Sequence, residues 1–429
     1  MRENDEADLE RYQAKKYIND LNTHGSRLMI KPFEKPIYVT KPFLPPLEEF
    51  RQGLEEIWEI RWLTNNGPIL QRFTRELGSF FETGNVCLFN NGTLALQIAL
   101  RGMGVSGEVI TTPFTFVATT HALLWNRIKP VFVDIEPRYY TMDPERVEAS
   151  ITPRTTAILP VHVYGHPCNM NALADIAKRH KLKLIYDAAH AFGIRVGGKS
   201  IAHFGDLNMF SLHATKLFHS MEGGLLIFQE EGLKAVFDYL KNFGFKNEVE
   251  VVMVGTNAKM NEMQALMGTL VLKYLEGIIE KRARITDSYR QCLKDIPGIR
   301  LVPSVPPYVK YNYAFMPIEV DKKQFGMSRD QLYETLKQYN VFARRYYYPL
   351  VCDYACYRSL PVKDPLITAR RVADRILTMP IYDSLPLSNV ETICEIIEHV
   401  HRKTWRRPSF PKKGSHPGAQ IREKGARGG

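Results

Sequence analysis

Several things are scarce or missing in this chain, and each absence narrows what it can be. No run of about 18 apolar residues occurs in its 429 residues, so no segment has the length of a membrane-crossing helix. The start, MRENDEADLERYQAKKYINDL, is charged and lacks an apolar core, so it does not read as a secretory leader. Cysteine is sparse, with six residues scattered along the chain. Only Cys352 and Cys356 lie close together, and they lack the CxxC spacing of a zinc or redox site. Reduced thiols in a cytoplasmic protein, with no metal, are the expectation. Positive charge is also scarce where a nucleic-acid surface would need it. Residues 402–429 hold nine Lys/Arg and one Glu, so this Pro- and Gly-containing tail carries +8 of the net +11. It reads as a solvated, disordered tail rather than a nucleic-acid site, with an acidic partner or membrane surface as a weaker reading.

What is present is an ordered alternation. From about residue 86, "TLALQIALRGM" has helical spacing, "EVITT" reads as a strand and "TTHALLWNRI" as a helix. "PVFVDI", "TAILPVHV" and "LKLIYDAAH" read as further strands, separated by "DPERVEASI" with Asp143 as helix cap and by the amphipathic "NMNALADIAKRH". Such alternation implies βαβ units and a mainly parallel sheet, with ligands at the carboxyl ends of its strands. "GGLLIF" and the long helical "EMQALMGTLVLKYLEGIIEKRARITDSYRQCL" follow. Pro-rich "IPGIRLVPSVPP" breaks the pattern, and beyond it lie strand-like "YNYAFMPIEV" and amphipathic "SRDQLYETLKQYNV" and "NVETICEIIEHVHRK". The expected organisation is an extension over 1–36, helical at "EADLERYQAKKYINDL", a large domain over 37–296, a small α+β domain over 297–402 and a basic tail over 403–429.

Four segments could carry chemistry. In "NNGTLALQIAL", Gly92 and Thr93 open a helix, where backbone amides and a hydroxyl make an anion site; alone, this is an ordinary turn and N-cap. In "TTPFTFVATT", Phe116 lies just past a strand and could stack on a planar ring, although core packing is the commoner fate of an isolated Phe. In "YDAAHAFG", Asp187 ends a buried strand and needs a positive partner such as a pyridinium nitrogen. His190, three residues on, could bond a ring oxygen; a structural Asp and His would look the same. In "SLHATKLFHSMEGGLLIF", Lys216 sits among small and aromatic residues that favour a neutral, nucleophilic amine, and Ser211 could bind phosphate. Glu222-Gly223-Gly224 would turn the backbone tightly into the next strand. Together these are a phosphate cradle, a stacking ring, an acid for a ring nitrogen and a Schiff-base lysine, the set that pyridoxal phosphate needs.

Their order and wording resemble the DegT/DnrJ/StrS family of nucleotide-sugar aminotransferases. The resemblance runs from residue 39 to about 400 on "NGT.AL", "P.TFVAT", "PVH.YG", "DAAHA.G", "S.HATK.F...EGG" and "TNAKMNEMQA.MG". It implies fold type I of the pyridoxal-phosphate enzymes, with a mainly parallel seven-stranded sheet between helices and a smaller C-terminal domain. It implies that Lys216 holds pyridoxal 5'-phosphate as an internal aldimine and moves the proton. Asp187 pairs with the ring nitrogen, His190 sits by the ring oxygen, Phe116 stacks, and Gly92, Thr93 and Ser211 hold the phosphate. Asn257 matches an asparagine that, in the family, completes the phosphate site of the neighbouring subunit, which implies a homodimer. "GTNAKM" departs from the common Gly-Tyr-Asn-Tyr-Arg-Met, leaving Lys259 at the arginine position.

"TKPFLPPLEEF", "WLTNNGP" and "HATKLFHSMEGG" resemble members that move the amino group of L-glutamate to the 4-keto group of dTDP-4-keto-6-deoxyglucose. Amination at the sugar 3-position, or of a sugar on another nucleotide, is the runner-up. "ARRYYYP" (Arg344 to Pro349) is a candidate diphosphate contact or, equally, a solvated strand edge. A cofactor-binding regulator would not need Lys216, Asp187 and Thr93 together. A dehydratase of this family replaces the lysine by histidine.

Overall fold

The computed structural model describes residues 30–405; the expected N-terminal helix and the tail beyond 405 lie outside them. Seven strands form the main sheet, numbered here in chain order: β1 Val86–Phe89, β2 Glu108–Thr111, β3 Lys129–Phe132, β4 Thr155–Leu159, β5 Lys183–Asp187, β6 Leu207–Ser211 and β7 Gly224–Phe228. Their spatial order is β1-β7-β6-β5-β4-β2-β3, with β7 antiparallel to both neighbours and the remaining pairs parallel. Six strands therefore end on one edge, and β7 begins there. Strands such as "GLLIF" are buried at every residue, as a sheet covered on both faces requires.

Helices supply both covers. Leu96, Leu100, Leu123 and Phe237, from helices Gly92–Gly102, Val117–Trp125 and Leu233–Leu240, form one core layer. Phe73, Leu77, Leu173, Leu266 and Leu270, from helices Pro68–Phe81, Met170–His180 and Glu262–Leu293, form the other. Helix starts follow the sequence: Asn91, Asn169 and Asp143 accept backbone N–H bonds from the first turns that follow them, and Asn261 with Gln264 forms a capping box.

The 32-residue helix Glu262–Leu293 serves two cores. Its first half packs on the main sheet, while Ile285, Tyr289 and Leu293 join a second core. That second core covers the antiparallel sheet Ile299–Leu301, Met316–Val320 and Ile376–Met379 together with helices Arg329–Gln338 and Leu387–Trp405. Residues Ile37–Tyr38 pair in parallel with Val341–Phe342, so the segment preceding the main sheet crosses to this second unit. Buried Glu262 accepts the N–H of Ile69 at 2.8 Å and of Leu70, tying the start of one helix to the start of another.

Two strand expectations are longer than the strands formed. "TAILPVHV" stops as a strand at Leu159, because Pro160 has no N–H for the ladder; Val163–Gly165 then makes a 3-10 turn in which Tyr164 has φ 56°. "YNYAFMPIEV" is strand only over Met316–Val320. Asn312 instead donates its amide to the carbonyls of His190 at 2.8 Å and Phe192 at 3.0 Å, in the loop that follows β5.

Gly268 gives a stability test. Its position is helical, so alanine would help by about 1 kcal/mol on propensity alone. A Cβ there would, however, overlap the ring of fully buried Phe73. Gly268→Ala should destabilise by about 1–3 kcal/mol, read as a lower urea midpoint.

Candidate active site

The strand-end edge holds a cavity of about 1490 Å³. Each predicted segment reaches it from a different loop. Asn91, Gly92 and Thr93 follow β1, Phe116 follows β2, Asp187 and His190 close β5, and Ser211 and Lys216 close β6. Parallel pairing of β5 with β6 sets Asp187 opposite Met209, so the acid and the lysine loop converge.

Lys216 lies in the turn after β6, its N–H bonded to the His213 carbonyl at 2.8 Å. Its side chain is half-buried on the cavity wall, and among the described residues no group bonds its Nζ. Burial drives its pKa down to about 8, against the pull of the Asp187 charge. Asp187 is 5% exposed. Burial raises its pKa, while Thr119 Oγ1, donating at 2.7 Å, the Ala189 N–H at 3.1 Å and the charge of Lys216 pull it back. Thr119 in turn meets Thr115 Oγ1 at 3.0 Å. Both carboxylate oxygens are thus held in place.

His190 is buried and held neutral by that burial and by Lys216. Its Nδ1 accepts the Tyr164 N–H at 3.1 Å, which puts the ring proton on Nε2, 3.1 Å from Tyr347 Oη. A Cβ on Gly92 would come within 3.2 Å of Ser211 Cβ, so glycine keeps the start of helix Gly92–Gly102 open beside Ser211. The glycine at 224 answers close approach, not turn geometry: a Cβ would run into the Asn91 carbonyl. Phe116 lines the cavity with 58% of its surface exposed, an uncovered ring. Asn257 stands exposed on the rim. Lys259 bonds Asn242 Oδ1 at 2.8 Å and lies 4.8 Å from the centre of the Phe243 ring, and burial lowers its pKa.

The "ARRYYYP" segment divides. Arg344 is exposed and exchanges backbone bonds with Thr378, while Arg345 pairs with Asp330 at 2.8 Å and stacks on Tyr333. Its tyrosines Tyr346 and Tyr347 line the cavity. Sequence reasoning assigned no role to Thr119, Thr115 or Tyr164, and none to Tyr347 as the partner of His190. Among the described residues no group of three or more His, Cys, Asp or Glu could hold a metal ion.

A small-walled helix start, an uncovered aromatic ring, a clamped carboxylate and an unpartnered amine of lowered pKa fit a phosphorylated, cationic aromatic aldehyde. This is the site of a pyridoxal-phosphate-dependent aminotransferase. The chain belongs to the DegT/DnrJ/EryC1/StrS aminotransferase family, whose profile matches residues 47–398. It is 45% identical to a dTDP-4-amino-4,6-dideoxy-D-glucose transaminase of Shigella dysenteriae over 86% of this chain and 100% of that one. It is 44% identical to the Escherichia coli protein of the same name, over 85% and 97%. The solved structure of DesI with its TDP-sugar product matches at TM-score 0.83 and 32% identity, over 87% of this chain and 95% of that one.

The lysine's environment sets a pH dependence. Cofactor capture by the apoenzyme needs neutral Nζ, so its rate should rise with pH and level off above about 8, not near the ordinary lysine value of about 10.4. Asp187→Asn removes the charge that raises this pKa, so the midpoint should fall below the wild-type one. Stopped-flow absorbance reads both; a midpoint that rises in the variant contradicts the assignment.

Proposed function

We propose that this chain transfers an amino group from L-glutamate to the 4-keto carbon of dTDP-4-keto-6-deoxyglucose, giving dTDP-4-amino-4,6-dideoxy-D-glucose. The observation that carries the substrate is the 44–45% identity to transaminases of that product over nearly their whole length. The chemistry rests on the unpartnered amine of Lys216 in a cavity large enough for a sugar nucleotide.

Gly92, Thr93 and Ser211 would hold the cofactor's phosphate, Asn257 would complete the phosphate site of the neighbouring subunit, Phe116 would cover the ring, and His190 would sit near its ring oxygen. When bound, pyridoxal phosphate supplies an electron sink for charge left on a carbon that loses its proton. Asp187, its orientation fixed by Thr119 and the Ala189 N–H, would hold a proton on the ring nitrogen by its charge. Lys216 Nζ, neutral near pH 8, takes the proton from the donor's α-carbon and returns one on the acceptor side.

The working form in this reading is a cytoplasmic homodimer with residues shared between sites. Support comes from exposed apolar side chains that line the cavity: Trp125 is 79%, Phe243 46% and Phe245 41% exposed. The division into a large unit and a smaller C-terminal unit near residue 296 is likewise proposed. It is supported by the separate core under the second sheet.

Incubation with pyridoxal phosphate, glutamate and dTDP-4-keto-6-deoxyglucose should give the 4-amino sugar, read by mass spectrometry and NMR, with the amine equatorial. Conversion of glutamate to 2-oxoglutarate without any amino sugar from this substrate would overturn the substrate but not the transamination. Lys216→Ala should lower turnover by about 10²–10⁴-fold.

A further inference from the structure

A second cluster of reactive groups lies away from the cavity, at the edge strand β1. Cys87 is 1% exposed and packs among Leu233, Phe237 and Leu240. Its Sγ is 3.3 Å from Lys241 Nζ and 3.6 Å from Asp238 Oδ1. Lys241 Nζ pairs with Asp238 Oδ1 at 2.6 Å, and Lys234 holds the other oxygen at 2.5 Å. Among the described residues no other cysteine has a lysine amine within hydrogen-bonding distance. The side chain of Asp238 is 37% exposed and that of Lys241 18%, so small molecules can reach the cluster from that side.

We propose that Cys87 and Lys241 form an oxidation-dependent covalent bridge, Sγ–O–Nζ, with dioxygen as the oxidant. The Cys87 thiol adds dioxygen to give S–O–OH. Asp238 takes a proton from the Lys241 ammonium, and neutral Nζ attacks the sulfur-bound oxygen. The O–O bond breaks, and the departing hydroxide takes a proton from nitrogen and leaves as water. One thiol, one amine and one dioxygen give S–O–NH and one water. Sulfur and nitrogen each lose two electrons, and dioxygen gains four. The present 3.3 Å separation leaves room for the inserted oxygen with little backbone movement.

Resting protonation makes the reaction slow, which suits a site that must survive ordinary exposure. Burial raises the Cys87 pKa. For Lys241, burial works against the charge, but the neighbouring sulfur and Asp238 outweigh it and raise the pKa to about 12. The bridge would pin the cavity rim. The Lys241 carbonyl accepts the Ala258 N–H at 2.9 Å, and the next residue, Asn242, lines the cavity and accepts Lys259.

The test uses the full-length holoenzyme held in oxygen-saturated buffer, then digested and weighed by mass spectrometry. The peptides of Cys87 and Lys241 should appear joined, one oxygen heavier and two hydrogens lighter than their sum. Dithiothreitol should separate them. Lys241→Arg, which keeps the charge, and Cys87→Ser should yield no joined species. The oxidised wild type should melt a few degrees higher than the reduced protein, because the bridge closes a loop of about 150 residues. Sulfinic acid at Cys87 beside an unmodified Lys241, or no joined species at all, overturns the proposal.

Discussion

A carboxylate and an amine line one cavity, and burial makes each resist its own charge there. Burial pushes Asp187 up and Lys216 down, and each charge partly restores the other. Neither position is stable by itself. A buried carboxylate without donors costs several kcal/mol, so Thr119 and the Ala189 N–H hold its two oxygens. The architecture exists to keep these two groups facing one space. Parallel β5 and β6 end side by side, helix Val117–Trp125 brings Thr119 against Asp187, and Asn312 bonds the carbonyls behind His190.

The same constraint explains the glycines and the tyrosine. Glycine at 92 and 224 lets helix Gly92–Gly102 start close to β6 and lets β7 approach Asn91 closely. Space for an anion is left where a side chain would otherwise fill it. Tyr347 and the Tyr164 N–H fix both nitrogens of His190, so one tautomer faces the cavity. Gln264 donates to the carbonyls of Asn90 and Glu222, at 3.2 and 2.8 Å, and links the start of the longest helix to the same loops.

Much of this was legible in the residues. Gly92, Thr93, Phe116, Asp187, His190, Ser211 and Lys216 all meet at one edge because each follows a strand end, and strand ends can be read locally. Helix starts were legible for the same reason: a cap acts within three residues. What stayed hidden depends on distance along the chain. Thr119 finds Asp187 across 68 residues, and Tyr347 finds His190 across 157. The reading of "ARRYYYP" took Arg344 to Pro349 as one candidate contact, but Asp330 and ring stacking hold Arg345, while Tyr346 and Tyr347 line the cavity. Aromatic content made "YNYAF" look like a strand, whereas the Asn312 side chain holds it as a loop.

Two lysines line the cavity, and the account separates them. Lys259 is bonded to Asn242, whereas Lys216 has a free amine with a pKa of about 8. Borohydride reduction of the holoenzyme, followed by peptide mapping, makes any lysine–cofactor linkage permanent and locates it. The account predicts the cofactor's mass on the peptide containing Lys216 and nowhere else. The same mass on the Lys259 peptide, or no covalent adduct at all, would contradict it.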